Sequence, residues 1–217
     1  MNLKECDAII FDLDGTLWDA TKNIRKSWNE LLEKDTEVNR EAISEKELEE
    51  CMGMPMYDIA AKLFPLETEK TQKSIMDKMC VYENEYLEKN GGELFDGLKS
   101  TLEKLSKRYD LYIVSNCQDG YIETFLKAHN TESFFKDIES WGRTKCSKSE
   151  NNKMIVKRNN IKNPVYVGDT KGDAVAAKEA GIPFIFAAYG FGDVDEKDYL
   201  LKIDDIRELT KLFGVEA

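Results

Sequence analysis

The sequence lacks any apolar run long enough to span a membrane; its longest apolar pieces are short and strand-like. Its opening, Met1-Asn2-Leu3-Lys4-Glu5-Cys6-Asp7, has none of the apolar stretch that a signal peptide needs. No Cys-x-x-Cys pair occurs. The five cysteines (Cys6, Cys51, Cys80, Cys117 and Cys146) are scattered and odd in number, which argues against a zinc site and for reduced thiols in a cytoplasmic compartment. Positive charge is scarce, with 31 Lys and Arg against 42 Asp and Glu and a net charge of −11. That balance disfavours nonspecific nucleic-acid binding, so neither a nucleic acid nor a membrane is expected as a partner. An anionic substrate must then be drawn in by a local lysine, by backbone amides or by a metal ion. The single histidine, His129, sits in a helical stretch and is given no role. There is no internal repeat and no low-complexity tract.

What remains is a chain of 217 residues, 41% hydrophobic and 34% charged, enough for one domain of good size or one domain with an insertion. Ala8-Ile9-Ile10 leads into Phe11 without polar alternation and reads as a strand buried on both faces. The next stretch is helical throughout. Asn23 to Asp35 carries Ile24, Trp28, Leu31 and Leu32 at helical spacing, and Ser44 with Glu47 forms a capping-box pattern. Tyr57 to Phe64 follows the break at Gly53-Met54-Pro55-Met56. Thr68 to Lys89 has Ile75, Met79, Tyr82, Tyr86 and Leu87 as its apolar stripe, and Asn90-Gly91-Gly92 ends it. From residue 92 onward helices alternate with strands at 111–114, 134–138, 165–167 and 184–186, and a helix over 204–213 closes the chain. The fold class is α/β: a doubly wound, Rossmann-like parallel sheet, with residues 18–91 inserted as an all-helical cap between core segments 1–17 and 92–217.

Chemistry-bearing residues recur where strands end. Asp12-Leu13-Asp14-Gly15 follows the first strand. Two carboxylates at about 4 Å repel by roughly 4 kcal/mol at an effective dielectric near 20, so a divalent cation or a held proton is expected there. Ser115-Asn116 follows Val114, and Gly168-Asp169-Thr170 with Asp173 follows Val167. Lys148 stands just before a helix in Arg143-Thr144-Lys145-Cys146-Ser147-Lys148-Ser149. In a parallel sheet these ends share one edge and converge on one crevice. Each piece alone has a plain structural explanation: a turn for Ser115-Asn116, a helix cap for Gly168 to Asp173, a solvated side chain for Lys148. A calcium loop starting at Asp12 would need acids at Thr16 and Asn23. The joint occurrence suits a hard cation with oxygen ligands beside a phosphoryl group.

These motifs resemble those of the haloacid dehalogenase-like hydrolase superfamily, in its branch with a helical cap after the first motif. Asp12-Leu13-Asp14-Gly15-Thr16, Ser115-Asn116, Lys148, and Gly168-Asp169-Thr170 with Asp173 match its four motifs in order. Ala180-Gly181-Ile182-Pro183 and Tyr189-Gly190-Phe191-Gly192 resemble the phosphoglycolate phosphatase-like group. The lysine of the third motif is often followed by proline and here by Ser149, so Lys145 stands as the alternative to Lys148. The resemblance implies a Mg²⁺-dependent phosphatase acting on a small phosphorylated metabolite. Asp12 is then the nucleophile, forming an aspartyl-phosphate, and Asp14 the general acid and base, which needs a raised pKa. Mg²⁺ is held by Asp12, Asp169 and the main-chain carbonyl of Asp14, with Asp173 in support, while Ser115, Asn116 and Lys148 bind phosphoryl oxygens. Dehalogenation needs no acid at position 14. The cap loop from Cys51 to Met56 resembles the family's specificity loop, so Gly53, Met54 and Met56 are candidate substrate contacts; the alternative is that Met52, Met54 and Met56 fill the cap core.

Two other functions compete. A phosphomutase of the same fold would use Asp14 to return the phosphoryl group to a second hydroxyl. A non-catalytic phospho-acceptor domain of the response-regulator kind would carry its acceptor Asp after the third strand and its lysine last, whereas Lys148 precedes Asp169 here.

Overall fold

The computed structural model describes residues 3–35 and 37–215; positions 1–2, 36 and 216–217 of the expected segments lie outside the described residues. Strand β1 (Ala8–Phe11) is buried at all four positions, as its unbroken apolar run requires. It lies inside a six-stranded sheet with β4 (Asp110–Ser115), β5 (Phe135–Ser140), β6 (Pro164–Gly168), β7 (Phe184–Ala187) and β8 (Leu201–Ile203). The order is β5-β4-β1-β6-β7-β8 and every pairing is parallel. Numbered by chain order within the sheet, that is 3-2-1-4-5-6, which reverses direction between β1 and β6. A crevice opens at such a reversal, beyond the carboxyl ends of the strands.

The two faces of the sheet follow from the period of two along each strand. Ile9, Phe11, Leu111, Ile113, Val165 and Val167 pack on one side with Leu102, Phe125 and Leu209. Those partners belong to helices α5 (Leu98–Ser106), α6 (Tyr121–His129) and α10 (Glu208–Leu212). Ala8, Ile10, Tyr112, Val114 and Tyr166 pack on the other side with Ile155, Ala174 and Ala177. These come from α8 (Lys148–Arg158) and α9 (Lys171–Ala180). The sheet is covered on both faces, as a doubly wound fold demands.

Between β1 and the rest of the sheet lies the inserted helical region: α1 (Thr21–Leu32), α2 (Glu45–Glu49), α3 (Met56–Leu63) and α4 (Glu69–Asn90). The capping box at the start of α2 forms, with Ser44 Oγ accepting from Glu47 N–H and Glu47 Oε2 accepting from Ser44 N–H. Helix α4 ends at Gly91, whose N–H donates to the Leu87 carbonyl. Its buried stripe is Ile75, Met76, Met79, Glu83 and Leu87 rather than the expected set. Tyr82 leans outward because its hydroxyl bonds Glu30 and Lys34, and Tyr86 is also only partly buried. An acid therefore occupies a place on the stripe where an aromatic residue was expected.

Other elements were not legible in the pattern. The insertion leaves and returns through an antiparallel pair, β2 (Trp18–Asp19) against β3 (Glu93–Leu94), so the block expected to be purely helical from residue 18 starts with a strand. Edge strand β8 is three residues long with Lys202 at its exposed centre, which leaves no apolar run to detect. Helix α7 (Trp141–Thr144) is a single turn capped by Ser140. Helices α8 and α9 begin at Lys148 and Lys171 because Ser147 and Thr170 cap them, and α10 begins at Glu208, not Asp204.

His129, given no role from sequence, closes the base of the insertion. Its Nε2 accepts from the Gly92 N–H at 3.4 Å and its ring meets Trp18 edge-on. Burial, with a further push from Lys99, holds its pKa below the usual 6.5. The unfolded chain therefore takes up the proton first. This contribution to stability is complete above pH 6.5 and is lost as pH falls below it through the folded-state value. Urea midpoints measured from pH 7.5 to 5 should fall more steeply for the wild type than for His129→Asn; parallel curves would remove His129 from the account.

Candidate active site

The carboxyl ends of β1, β4 and β6 are adjacent in the sheet, and each delivers polar side chains to the crevice. Asp12 follows β1 directly, Ser115 ends β4, and Asp169 follows β6. Lys148 opens α8 and Asp173 lies in the first turn of α9. Asp12, Asp169 and Asp173 are all buried, and one carboxylate oxygen from each lies within 4.8 Å of the others.

Lys148 is the buried cation among them. Its Nζ stands 2.7 Å from Asp173 Oδ1, donating a hydrogen bond, and 2.9 Å from Asp12 Oδ1 in an ion pair. Among the described residues Asp12 Oδ1 accepts no other side-chain or backbone donor. Lys145 does not reach the cluster; its Nζ sits 4.3 Å from the centre of the Trp141 ring. Asp173 is saturated: Oδ1 also accepts from Tyr166 OH, and Oδ2 accepts from Thr170 N–H and Oγ1. It completes a capping box with Thr170, so the helix-cap explanation and the place beside the site hold together. Asp169 accepts from Thr16 Oγ1 at 3.2 Å and from the Phe191 N–H at 2.8 Å.

Two glycines press against Asp169. A Cβ on Gly15, whose φ is +79°, would come within 2.2 Å of Asp169 Oδ2, and one on Gly190 within 2.3 Å of Asp169 Cβ and 2.4 Å of the Gly15 carbonyl oxygen. These two positions explain why the sequence carries glycine after Asp14 and after Tyr189.

The electrostatics follow from burial. Desolvation, then the charge of Asp173, pushes Asp12 up to about 6, while Lys148 opposes. Asp169 is pushed to about 8 by burial and by both neighbouring carboxylates. Asp173 stays below the usual range because Lys148 and the Thr170 donors outweigh its own burial. Three carboxylates thus face one ammonium. That donor set fits a hard divalent cation bound by oxygen, and Asp12 and Asp169 keep oxygen capacity for it.

Asp14 has a separate environment. Its Oδ1 accepts from Trp18 Nε1 at 2.9 Å and from Tyr121 OH at 2.7 Å, and burial pushes its pKa up to about 7. Neither partner was read from the sequence. In the sequence Trp18 marks only the start of the insertion. Asp12, Asp14, Ser115, Asn116 and Lys148 line one cavity with Gly53, Met54 and Met56 of the inserted region. Asn116 Nδ2 donates to the Gly53 carbonyl at 3.2 Å. Met56 is both buried in the core and part of the cavity wall, so the two readings of the methionines are not exclusive. Glu83 and Gln118 also line the cavity and escaped the sequence reading. The available signal was a lone acid at the spacing of Met79 and Leu87.

The parallel sheet thus brings three buried carboxylates and a buried lysine together at one crevice. Residues 9–187 match the model of the haloacid dehalogenase-like hydrolases, and the chain belongs to that family. Among curated proteins it is 24% identical to the phosphoglycolate phosphatase of Vibrio cholerae, over 99% of this chain and 100% of that one. The phosphoglycolate phosphatase of a Cupriavidus necator plasmid is 22% identical over 86% of this chain and 82% of its own. Its fold is that of a haloacid dehalogenase-like hydrolase from Streptococcus pneumoniae, with a TM-score of 0.80 at 22% identity over 96% of this chain and 98% of that one. A predicted phosphoglycolate phosphatase from Haemophilus somnus gives a TM-score of 0.81 at 22% identity, over 95% and 97%. Among the described residues no helix is long and apolar enough to cross a membrane.

Removing Lys148 should leave two buried carboxylates without their cation. Lys148→Met is expected to cost about 3–5 kcal/mol of stability. Denaturant unfolding measures it, and an unchanged midpoint would show that the lysine does not hold the cluster.

Proposed function

We propose that the protein is a Mg²⁺-dependent phosphatase that hydrolyses a small phosphorylated metabolite through an aspartyl-phosphate. The observation that carries this is the pair at the end of β1. Asp12 has a buried oxygen whose partner among the described residues is the Lys148 ammonium alone, and two residues on Asp14 has a carboxyl able to carry a proton near neutral pH.

Asp12, Asp169 and the Asp14 carbonyl would hold Mg²⁺, with Asp173 anchoring Lys148 beside them. The bound cation supplies positive charge that offsets repulsion between the Asp12 carboxylate and an anionic phosphoryl group. Asp12 attacks phosphorus in line, forming the Asp12–phosphorus bond as the bond to the leaving oxygen breaks. Asp14 gives its proton to that oxygen, then takes one from the water that cleaves the acyl phosphate and restores Asp12. Trp18 and Tyr121 keep the Asp14 carboxyl aimed while it changes charge. Ser115, Asn116 and Lys148 bind the phosphoryl oxygens, where charge spreads in the transition state. Residues 18–91 act as the cap. With Gly53, Met54 and Met56 over the cavity, they exclude water and select the alcohol part. The names of the relatives support a small phosphate monoester as substrate. The largely apolar cap wall favours hydrolysis over a mutase, which must hold a polyhydroxylated substrate in two orientations.

Asp12→Asn should reduce phosphate release from p-nitrophenyl phosphate by at least about 10³-fold with the fold retained by circular dichroism. Asp14→Asn should lower it about 10²–10⁴-fold. Chelation of Mg²⁺ should abolish turnover and its return restore it. Full activity of Asp12→Asn, or turnover indifferent to chelation, would refute the mechanism. Isomerisation of a sugar 1-phosphate without free phosphate would assign the mutase reaction instead.

A further inference from the structure

The cavity is unevenly charged. On the phosphoryl side it has Lys148, already held against Asp12 and Asp173. On the cap side the wall is apolar, built from Ile24, Trp28, Leu48, Met54 and Ile59. The polar exceptions there are Gln118 and Glu83, the latter 2% exposed. Among the described residues that line the cavity, Lys148 is the one with a basic side chain.

Glu83 is held in place by neutral donors. Trp28 Nε1 bonds its Oε2, and Gln118 Nε2 bonds its Oε1 at 2.7 Å. Gln118 also bonds Asn84 Oδ1, and Asn84 Nδ2 donates to the Asp119 carbonyl, so the acid sits in a bracket joining α4 to the loop before α6. No ammonium or guanidinium among the described residues pairs with it. A buried carboxyl in such a setting is relieved by a proton or by a donor brought by a ligand. A second anion there would be stripped of water beside an acid, with no cation to receive it. Burial pushes Glu83 up to about 8, with the charge of Asp14 adding to the effect, so near neutral pH it holds a proton, and an ammonium brought by a ligand would take that proton's place.

We propose that Glu83 selects the leaving group. The substrate is a phosphate monoester whose alcohol part carries no second anion and turns a hydrogen-bond donor, an ammonium or a hydroxyl, toward Glu83. This inference rests on the phosphatase reading. It sets the chain apart from the activity printed for its relatives, since phosphoglycolate carries a carboxylate at the end that would face Glu83.

The test compares kcat/KM of the wild type, with Mg²⁺, for O-phosphoethanolamine, glycerol 3-phosphate and 2-phosphoglycolate, using p-nitrophenyl phosphate as the reference. The expected result is phosphoglycolate at least about ten-fold below the better of the other two metabolites. Which of those two leads tells whether the donor is an ammonium or a hydroxyl; either order supports the proposal. Glu83→Gln cannot give up a proton to receive a ligand's donor, so the ratio of the better metabolite to p-nitrophenyl phosphate should fall several-fold, through a higher KM for that metabolite. The ratio is insensitive to partial loss of folded enzyme. Phosphoglycolate equal to or better than both metabolites, or a ratio unchanged in Glu83→Gln, overturns the proposal while leaving the phosphatase reading intact. No turnover of p-nitrophenyl phosphate by the wild type overturns that reading and the proposal with it.

Discussion

A buried ammonium between two carboxylates organises this molecule. Lys148 reaches Asp12 from one side and Asp173 from the other, and these three residues come from three separate segments of the chain. Isolated, each charge would cost several kcal/mol to bury; together they leave a small net negative charge that a divalent cation can complete. The pairing also ties the end of β1 to the starts of α8 and α9. It therefore fixes the crevice at the reversal of strand order, and the glycines at 15 and 190 let the backbone close around Asp169.

The same loop that carries the acids also joins the sheet to the insertion. Asp14 and Trp18 are four residues apart, and the indole donates back to the carboxyl. Trp18 then packs against Tyr121, Phe125 and His129, and pairs with Leu94 across β2 and β3. The protonatable carboxyl is thus set by the base of the helical region, so movement of that region would be felt at the acid. Tyr121, the second donor to Asp14, comes from α6 in the core, which keeps the carboxyl anchored from both parts of the structure.

The helical region faces the crevice with two kinds of contact. One is an apolar wall of Ile24, Trp28, Leu48, Met54 and Ile59. Its polar contacts, Asn116 to the Gly53 carbonyl and Gln118 to Glu83 and Asn84, are few and lie at the rim and the far end. In the proposed reaction, selection of the alcohol part would fall to a small number of side chains on α4 and on the loops before α3 and α6, and binding of the phosphoryl end to residues at the strand ends.

Much of the core was legible from the chain alone because its signals are local. The buried run at 8–11, the acids at 12 and 14 that follow it, the capping box at Ser44, the helix cap in the loop from Gly168 to Asp173, and the alternation of helix and strand after residue 92 each arise within a few residues. The strand-end residues could be assigned to one crevice because a parallel sheet puts all such ends on one edge. The partners were decided by tertiary structure. Lys148 over Lys145 is a matter of which side chain the turn before α8 points inward. The donors to Asp14 come from residues 18 and 121, and the burial of Glu83 in place of an aromatic residue depends on Trp28 and Gln118 meeting across the gap between the helices and the core. Local sequence determines which residues end each strand; only packing at long range determines which of them lose water, and desolvation sets their charge.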